Sequence, residues 1–388
     1  MDKVNILDAV NITNNRVKPF EGTKRYLATG DLSGDQIDDS IVSVDYKTKP
    51  SRADLLVRKG NVIVARMQAT NKVLLIDEST VDLIVSTGFL TLAPKDSFDE
   101  KYLSHYFSSP VFQRDKDKFC SGATQKAINN GSFGKLQVPK YSLTDQEAIA
   151  DKLDEAEILR QKRKEQLALL DDYLKSAFLE MFGNPINNPK GWKLAELQEV
   201  CSEIYRYPTF YGFKYVENGI PVVKIGNILQ EGIVNPDLSK YSFVTKEISE
   251  SYPRTILELH DILMAVRGDG STVKRIGLVY HENLVGANIS PNLLRFNTDK
   301  DIVLPIYLYM LITSPAGQQL LSQYITQTAK KTITATDIKQ IKIPAPPLKL
   351  QEQYSKVFFG IQETKQKMRA SLDEMDNHFN ALMQRYFE

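Results

Sequence analysis

SPVFQRDKDKFCSGATQKAINNGSFGKLQVPKYSLTDQE, Ser109 to Glu147, aligns without a gap on SPAGQQLLSQYITQTAKKTITATDIKQIKIPAPPLKLQE, Ser314 to Glu352, at a constant offset of 205 residues. Nine of the 39 positions are identical: Ser109/Ser314, Pro110/Pro315, Gln113/Gln318, Lys126/Lys331, Ile128/Ile333, Pro139/Pro344, Leu143/Leu348, Gln146/Gln351 and Glu147/Glu352. Typical residue frequencies would give about two or three by chance. Phe119/Tyr324, Leu136/Ile341 and Val138/Ile343 add conservative pairs. The offset is too long for a solenoid unit of about 20 to 50 residues, so the pattern reads as a duplicated domain.

Upstream, the halves agree more loosely. Arg25–Leu32 (RYLATGDL) resembles Pro221–Ile228 (PVVKIGNI), and Gly60–Met67 (GNVIVARM) resembles His260–Gly268 (HDILMAVRG), each of the latter an apolar run ending at Arg66 or Arg267. Such apolar runs bounded by Gly, Asn and Asp predict a mostly β domain in each half. Tyr102–Phe112 and Ile306–Tyr324 read as helical, each interrupted at a Ser-Pro step.

After Pro139 the pattern becomes helical. Thr144-x-x-Glu147 reads as a capping box, and Pro346-Pro347 marks the start of the second copy. Alternating steps of four and three from Ile149 run through Leu153, Arg160, Arg163, Leu167, Leu170 and Leu174 to Met181. The 205-residue offset carries the same steps from Tyr354 through Phe358, Lys365, Leu372, Met375 and Phe379 to Tyr386. This is the 3.5-residue spacing of a coiled-coil seam, broken by basic residues. Each helix has about 40 residues and a length of about 60 Å. An antiparallel pair lets the second β domain leave and return at one place, because domain termini usually lie close together. The expected fold is α+β: two mostly β domains, 1–143 and 184–348, joined by spacer helices, 144–183 and 349–388, with pseudo-two-fold symmetry.

Composition bounds the function. The net charge is +1. The two helical segments sum to −4 and the remainder to +5, a mildly basic balance for domains that touch phosphate. Cys120 and Cys201 lack CxxC spacing and fit a reducing cytosol. His105, His260, His281 and His378 have no ligand company. No long apolar run suggests a membrane span, and MDKVNILDAV carries no secretory pattern. The sequence contains no Asn/Asp-Pro-Pro-Tyr/Phe methylation motif and no GxxxxGK[ST] phosphate loop.

Together with the two halves, Phe182–Leu194 (FGNPINNPKGWKL), Gly286–Phe296 (GANISPNLLRF) and Ile343–Gln353 (IPAPPLKLQEQ) resemble the specificity subunit of type I restriction–modification systems. In the first half, LQVPKYSLTDQE and TGFLTLA (Thr87 to Ala93) are the looser counterparts. The resemblance implies a cytoplasmic, non-catalytic subunit with two target-recognition domains, each reading one half of a split, asymmetric site in double-stranded DNA. It implies helices that bind two methyltransferase subunits, joined by restriction subunits. S-adenosylmethionine, ATP and Mg are then expected on those partners and no cofactor on this chain.

Within that expectation, Lys126, Lys330 and Lys331 suit phosphate, and Thr124 and Gln125 suit base edges or sugars. The plain alternative is a solvated turn, with Ile128 and Ile333 plugging the core. Arg66 and Arg267 end apolar strands, and Val266–Arg275 adds Lys274 and Arg275 on a Gly-rich loop that reads either as a DNA approach or as an ordinary turn. Tyr205–Tyr215 interleaves Arg206 and Tyr211 with other aromatics, suited to stacking or to a half-buried loop. Leu167, Leu170, Leu174, Leu372, Met375 and Phe379 are candidates for partner binding. Arg160, Arg163 and Lys365 favour local pairing, with Glu157 or Glu363 nearby. The competing function is a coiled-coil interaction protein whose repeated β domains bind protein or RNA, and a third is a solitary recognition subunit of a methylation-only or phase-variable system.

Overall fold

The computed structural model describes residues 2–206, 214–268, 275–325 and 331–388. The chain divides into two compact units, Met1–Glu165 with Met368–Glu388, and Gln166–Lys367.

In the first unit, strands Val10–Ile12, Phe89–Pro94, Val62–Ala65 and Val73–Leu75 form an antiparallel sheet in that order. Val62–Ala65 is buried along its whole length because its two faces serve two cores. Val62 and Val64 face the helical side with Tyr102, Phe107 and Phe112, while Ile63 and Ala65 face Leu27, Leu55 and Val85 of a second sheet. That second sheet orders Ser43–Val44, Lys24–Leu27, Ile84–Ser86 and Ala53–Leu56, with a parallel pairing at its centre. The period-two alternation of a strand thus builds a two-core domain.

The second unit repeats this plan. Cys201–Arg206, Leu293–Thr298, Ile262–Ala265 and Ile276–Leu278 form the antiparallel sheet. Ile262 and Met264 face one core and Leu263 and Ala265 the other. Register agrees as well: Ala65 lies opposite Phe89, and Ala265 opposite Leu293. The two short helices of each unit break where expected. Ser109 closes Glu100–Ser108 and caps Pro110–Lys118, donating to the Tyr106 carbonyl at 2.6 Å and accepting from the Phe112 N–H at 3.2 Å. Ser314 does the same between Pro305–Thr313 and Pro315–Ser322.

The identities at the end of the repeat are a buried amide clamp. Gln146 donates from its Nε2 to the carbonyls of Ser97 and Tyr141 and accepts from the Asp99 N–H. Gln351 makes the same three bonds with Ile302, Pro346 and Leu304, each partner displaced by 205 residues. Tyr102 and Tyr307 likewise donate to the carbonyls of Pro139 and Pro344.

Two expectations about the long helices, Leu143–Phe182 and Leu348–Phe387, are corrected. The cap of the first is Ser142, whose Oγ accepts the Asp145 N–H at 3.2 Å, so Ser142-x-x-Asp145 and not Thr144-x-x-Glu147 opens it. The expected apolar spacing coincides with buried positions at Ile149, Leu153, Tyr354 and Phe358 but slips by one residue towards the helix C-termini. There Phe178, Phe182, Met383 and Phe387 are buried in place of Ala177, Met181, Leu382 and Tyr386. An α-helix drifts against a strict 3.5-residue repeat, and these ends lie in domain cores, where Phe178 and Phe182 meet Tyr307 of the domain as well as Tyr354 of the other helix. Within each unit the helices run in opposite directions. In the first, the Tyr141 hydroxyl meets the Tyr386 carbonyl; in the second, the Tyr354 hydroxyl meets the Leu174 carbonyl. No helix among the described residues is long and apolar enough to cross a membrane.

Candidate nucleic-acid interface

In the first unit, Ser121 and Ala127 exchange two backbone hydrogen bonds, at 3.1 and 3.0 Å, and close Gly122–Lys126 into a tight loop. Gly122 has φ +140°, and a Cβ there would lie 2.4 Å from the Gln125 carbonyl oxygen. Only glycine fits that turn without a rearrangement. Ile128 anchors the loop in the core and donates its N–H to the Arg66 carbonyl. Thr124, Gln125 and Lys126 are exposed, as a contact role requires.

A second turn, Met67–Thr70, lies against this loop. Met67 bridges Ala127, and the Gln68 N–H donates to the Lys126 carbonyl at 3.0 Å. Together the two segments and Asp117 border an open depression of about 590 Å³. Sequence reading missed what holds the turn. Lys116 is fully buried, and its ammonium donates to the carbonyls of Thr70 at 2.7 Å and Met67 at 3.1 Å, with Ala65 at 3.4 Å. Burial pulls its pKa down while neighbouring Asp117 opposes that shift. Asp117 Oδ2 accepts the Ala69 N–H at 3.0 Å, and Ala69 has φ +55°. The available signal was helical spacing: Lys116 stands one turn after Phe112, on the buried face of Pro110–Lys118.

Arg66 sits at the foot of this arrangement, where its guanidinium donates to the carbonyls of Phe89 at 3.0 Å and Ile128 at 3.3 Å. Burial lowers its pKa. Its polar capacity is directed into the domain frame. The alignment of Arg66 with Arg267 is corrected by register. Arg66 and Val266 donate their N–H groups to Gly88 and Asn292, whereas Met67 and Arg267 pair with Ala127 and Thr332. The structural counterpart of Arg66 is Val266, since a one-residue slip puts a side chain on the other face.

In the second unit, Arg267–Gly268 pairs with Lys331–Thr332, and Ile333 is buried with its N–H donating to Val266. The side chains of Arg267 and Lys331, and Tyr211, Lys274 and Lys330 as whole residues, lie outside the described residues. Arg206 is half-buried and donates to the Pro291 carbonyl at 3.1 Å. Arg275 is half-buried beside Glu231, Tyr309 and Gln318, along a mostly apolar cavity of about 750 Å³. Within GANISPNLLRF, Asn288 donates to Thr255 Oγ1 and Arg295 pairs with buried Asp261, so these motif residues hold the fold.

Along the long helices, Leu167, Leu170, Leu372 and Met375 are half-buried. Leu174 is 3% exposed in the core of the second unit, which removes it from a surface offered to another chain. Phe379 is half-buried, with the Arg160 guanidinium 4.4 Å from its ring centroid. Arg160 also pairs with Glu157 and Asp376, as local pairing requires. Lys365 pairs with Asp171, while Glu363 takes Lys367 instead.

Residues 4–169 and 189–374 each match the type I restriction modification DNA specificity domain. Among curated relatives, the EcoBI type I restriction enzyme specificity subunit of Escherichia coli is 23% identical over 286 residues, covering 67% of this chain and 58% of that protein. The MjaVIII specificity subunit of Methanocaldococcus jannaschii is 23% identical over 287 residues, covering 69% and 65%. The chain therefore spans 58% to 65% of the length of these relatives. A solved chain from a structure concerning complex assembly and conformational transition of the type I R-M system gives a TM-score of 0.60 at 18% identity, covering 99% of this chain and 97% of that one. The type I restriction-modification S subunit from M. genitalium gives 0.59 at 14%, covering 100% and 96%. At these identities the likeness is one of fold. On the strength of two matched segments that together take in most of its length, the chain belongs to the type I restriction modification DNA specificity family.

Proposed function

We propose that the chain is the DNA-recognition subunit of a type I restriction–modification complex, with each unit reading one half of a split, asymmetric duplex site. The observation that carries this reading is a shared frame with differing loops. Ser109/Ser314, Gln146/Gln351 and Ile128/Ile333 repeat their buried bonds and packing. At the same register, however, seven residues (66–72) follow the first central strand and ten (266–275) follow the second. Equal frames with unequal rims suit two readers of unequal half-sites.

The long helices act as an antiparallel coiled-coil spacer and dock two methyltransferase subunits, to which restriction subunits join. A spacer of about 60 Å exceeds one turn of DNA, about 34 Å, and leaves an unread gap between the half-sites. Adenine methylation from S-adenosylmethionine and ATP- and Mg-dependent steps belong to the partners, and this chain supplies recognition. The test is co-expression with the type I methyltransferase subunit of the same organism and genome-wide mapping of methylated adenines. A split motif is expected, and exchange of residues 184–347 for another recognition domain should change one half only. A motif that changes in both halves, or a chain that does not co-purify with the methyltransferase, overturns the reading.

A further inference from the structure

We propose that Gln68 and Gln125, on one rim in the first unit, set base preference in its half-site, with Lys116 as the residue that positions the rim. This rests on the recognition role proposed above, and its ligand is the base edge of duplex DNA.

The comparison between the two units separates what the fold needs from what this rim needs. At the repeat position of Lys116 the second unit has Leu321, also buried. The helix therefore packs at this position without a charge. A buried ammonium is expensive unless it is fully hydrogen-bonded, so a lysine retained here must be explained by the groups it holds. Its hydrogen-bond partners are carbonyls of the Ala65–Thr70 segment, and Asp117, which holds the same turn through the Ala69 N–H, lies 3.9 Å from the ammonium.

The held turn is also strained. Ala69 occupies the left-handed region at φ +55°, which is disfavoured for a residue with a Cβ. Asp117 fixes that conformation through the Ala69 N–H, and the Lys126 carbonyl fixes the next contact through the Gln68 N–H. Strain held in place by neighbouring groups is a mark of a preorganised site. What the turn presents is chemically suited to reading. Gln68 is exposed, and the exposed Gln125 amide donates to the Met67 sulfur. A primary amide offers a donor and an acceptor in one plane, the pattern that pairs with N6 and N7 of adenine in the major groove. Exposed Lys126, adjoining both, is placed for the backbone phosphate that fixes register.

The test uses the full chain in its methyltransferase complex and maps methylated motifs. The half-site unaffected by exchange of residues 184–347 is assigned to the first unit. Gln68→Ala should reduce discrimination at one position of that half about tenfold or more, and Gln68→Glu should move it from adenine toward cytosine. Lys116→Met, close in volume, should relax the same position while the second half-site stays intact. Unchanged first-half motifs in both Gln68 variants overturn the proposal, and this outcome holds even if Lys116→Met fails to fold. Loss of both halves together in Lys116→Met, with normal Gln68 variants, assigns Lys116 to the fold alone and also overturns it. A wild-type complex with no split motif overturns instead the recognition role on which the inference rests.

Discussion

Asp171 holds the ammonium of Lys365 in the second unit as Asp376 holds the guanidinium of Arg160 in the first, and each residue is its counterpart's 205-residue repeat. The pairs differ in their reserves. Arg160 keeps Glu157 and the Phe379 ring when Asp376 is lost, whereas Lys365 is 3% exposed and has Asp171 as its ion-pair partner. Breaking a buried pair from one side strands a charge, although the half-exposed Asp171 tempers the loss. Asp171→Asn should therefore destabilise by about 2 kcal/mol and Asp376→Asn by about 1 kcal/mol or less. Denaturant unfolding of the two variants measures the difference, and equal losses would remove the asymmetry.

Gln146 and Gln351 support a stronger prediction. Each amide is itself fully buried and satisfies two carbonyls and one N–H. Gln351→Leu keeps the volume roughly constant and leaves those groups unpaired, at a cost of about 2 to 3 kcal/mol. Gln146→Leu should cost a similar amount in the first unit. Thermal unfolding followed by circular dichroism checks both, and a loss within about 0.5 kcal/mol for either would show that the clamp is dispensable.

These same residues explain why the fold was legible. The repeat identities Ser109, Gln113, Ile128 and Gln146 are frame residues, and their bonds are local or tied to fixed landmarks. The site was less legible because its parts meet across the chain. Lys116 reaches Thr70 over 46 residues, and no periodicity encodes that contact. Arg66 and Arg267 were aligned by residue type, but strand register separates them by one position and one face. The apolar spacing of the long helices is legible at Ile149, Leu153, Tyr354 and Phe358 and slips by one residue at Phe182 and Phe387, all of them in domain cores.

Asp154 joins the first long helix to the first domain through His105 Nε2 at 2.7 Å and Lys101 Nζ at 2.8 Å. The His105 hydrogen bond is the main cause that lowers its pKa from 3.8 to about 2, against the opposing effect of burial. A depressed folded-state value stabilises the fold above the unfolded value. That contribution is present above about pH 4, and it is lost as pH falls toward about 2. Allowing for solvent screening of a one-third exposed carboxylate, the contribution is about 1 kcal/mol. Asp154→Asn should lower stability by that amount at pH 7 and have little effect near pH 2. An equal loss at both pH values would show that the contribution is packing and not charge.

Cys201 is buried, and burial pushes its thiol up to about 12. Cys120 is half-exposed, and burial also raises its pKa. Thiolate is the reactive form, so both should react slowly in the native protein and Cys201 only on unfolding. Titration with a chromogenic disulfide should find at most one slow thiol before denaturant is added, and two afterwards. Prompt reaction of both would contradict the packing around Cys201.

Lys126 and Gly122 separate charge from shape in the same loop. Lys126 is exposed, so Lys126→Ala should leave stability within about 0.5 kcal/mol. Loss of one phosphate contact should weaken binding to all duplexes alike and reduce the slope of log affinity against log salt by about 1. Gly122→Ala acts differently, because its Cβ would collide with the Gln125 carbonyl and force the loop to move. That variant should keep the salt slope, since every basic residue remains, and lose preference within the half-site of the first unit. Binding isotherms over a salt series, on a matched and a mismatched duplex, distinguish the two. If Lys126→Ala alters sequence preference while leaving the salt slope intact, Lys126 reads bases and the assignment of roles within the loop is reversed.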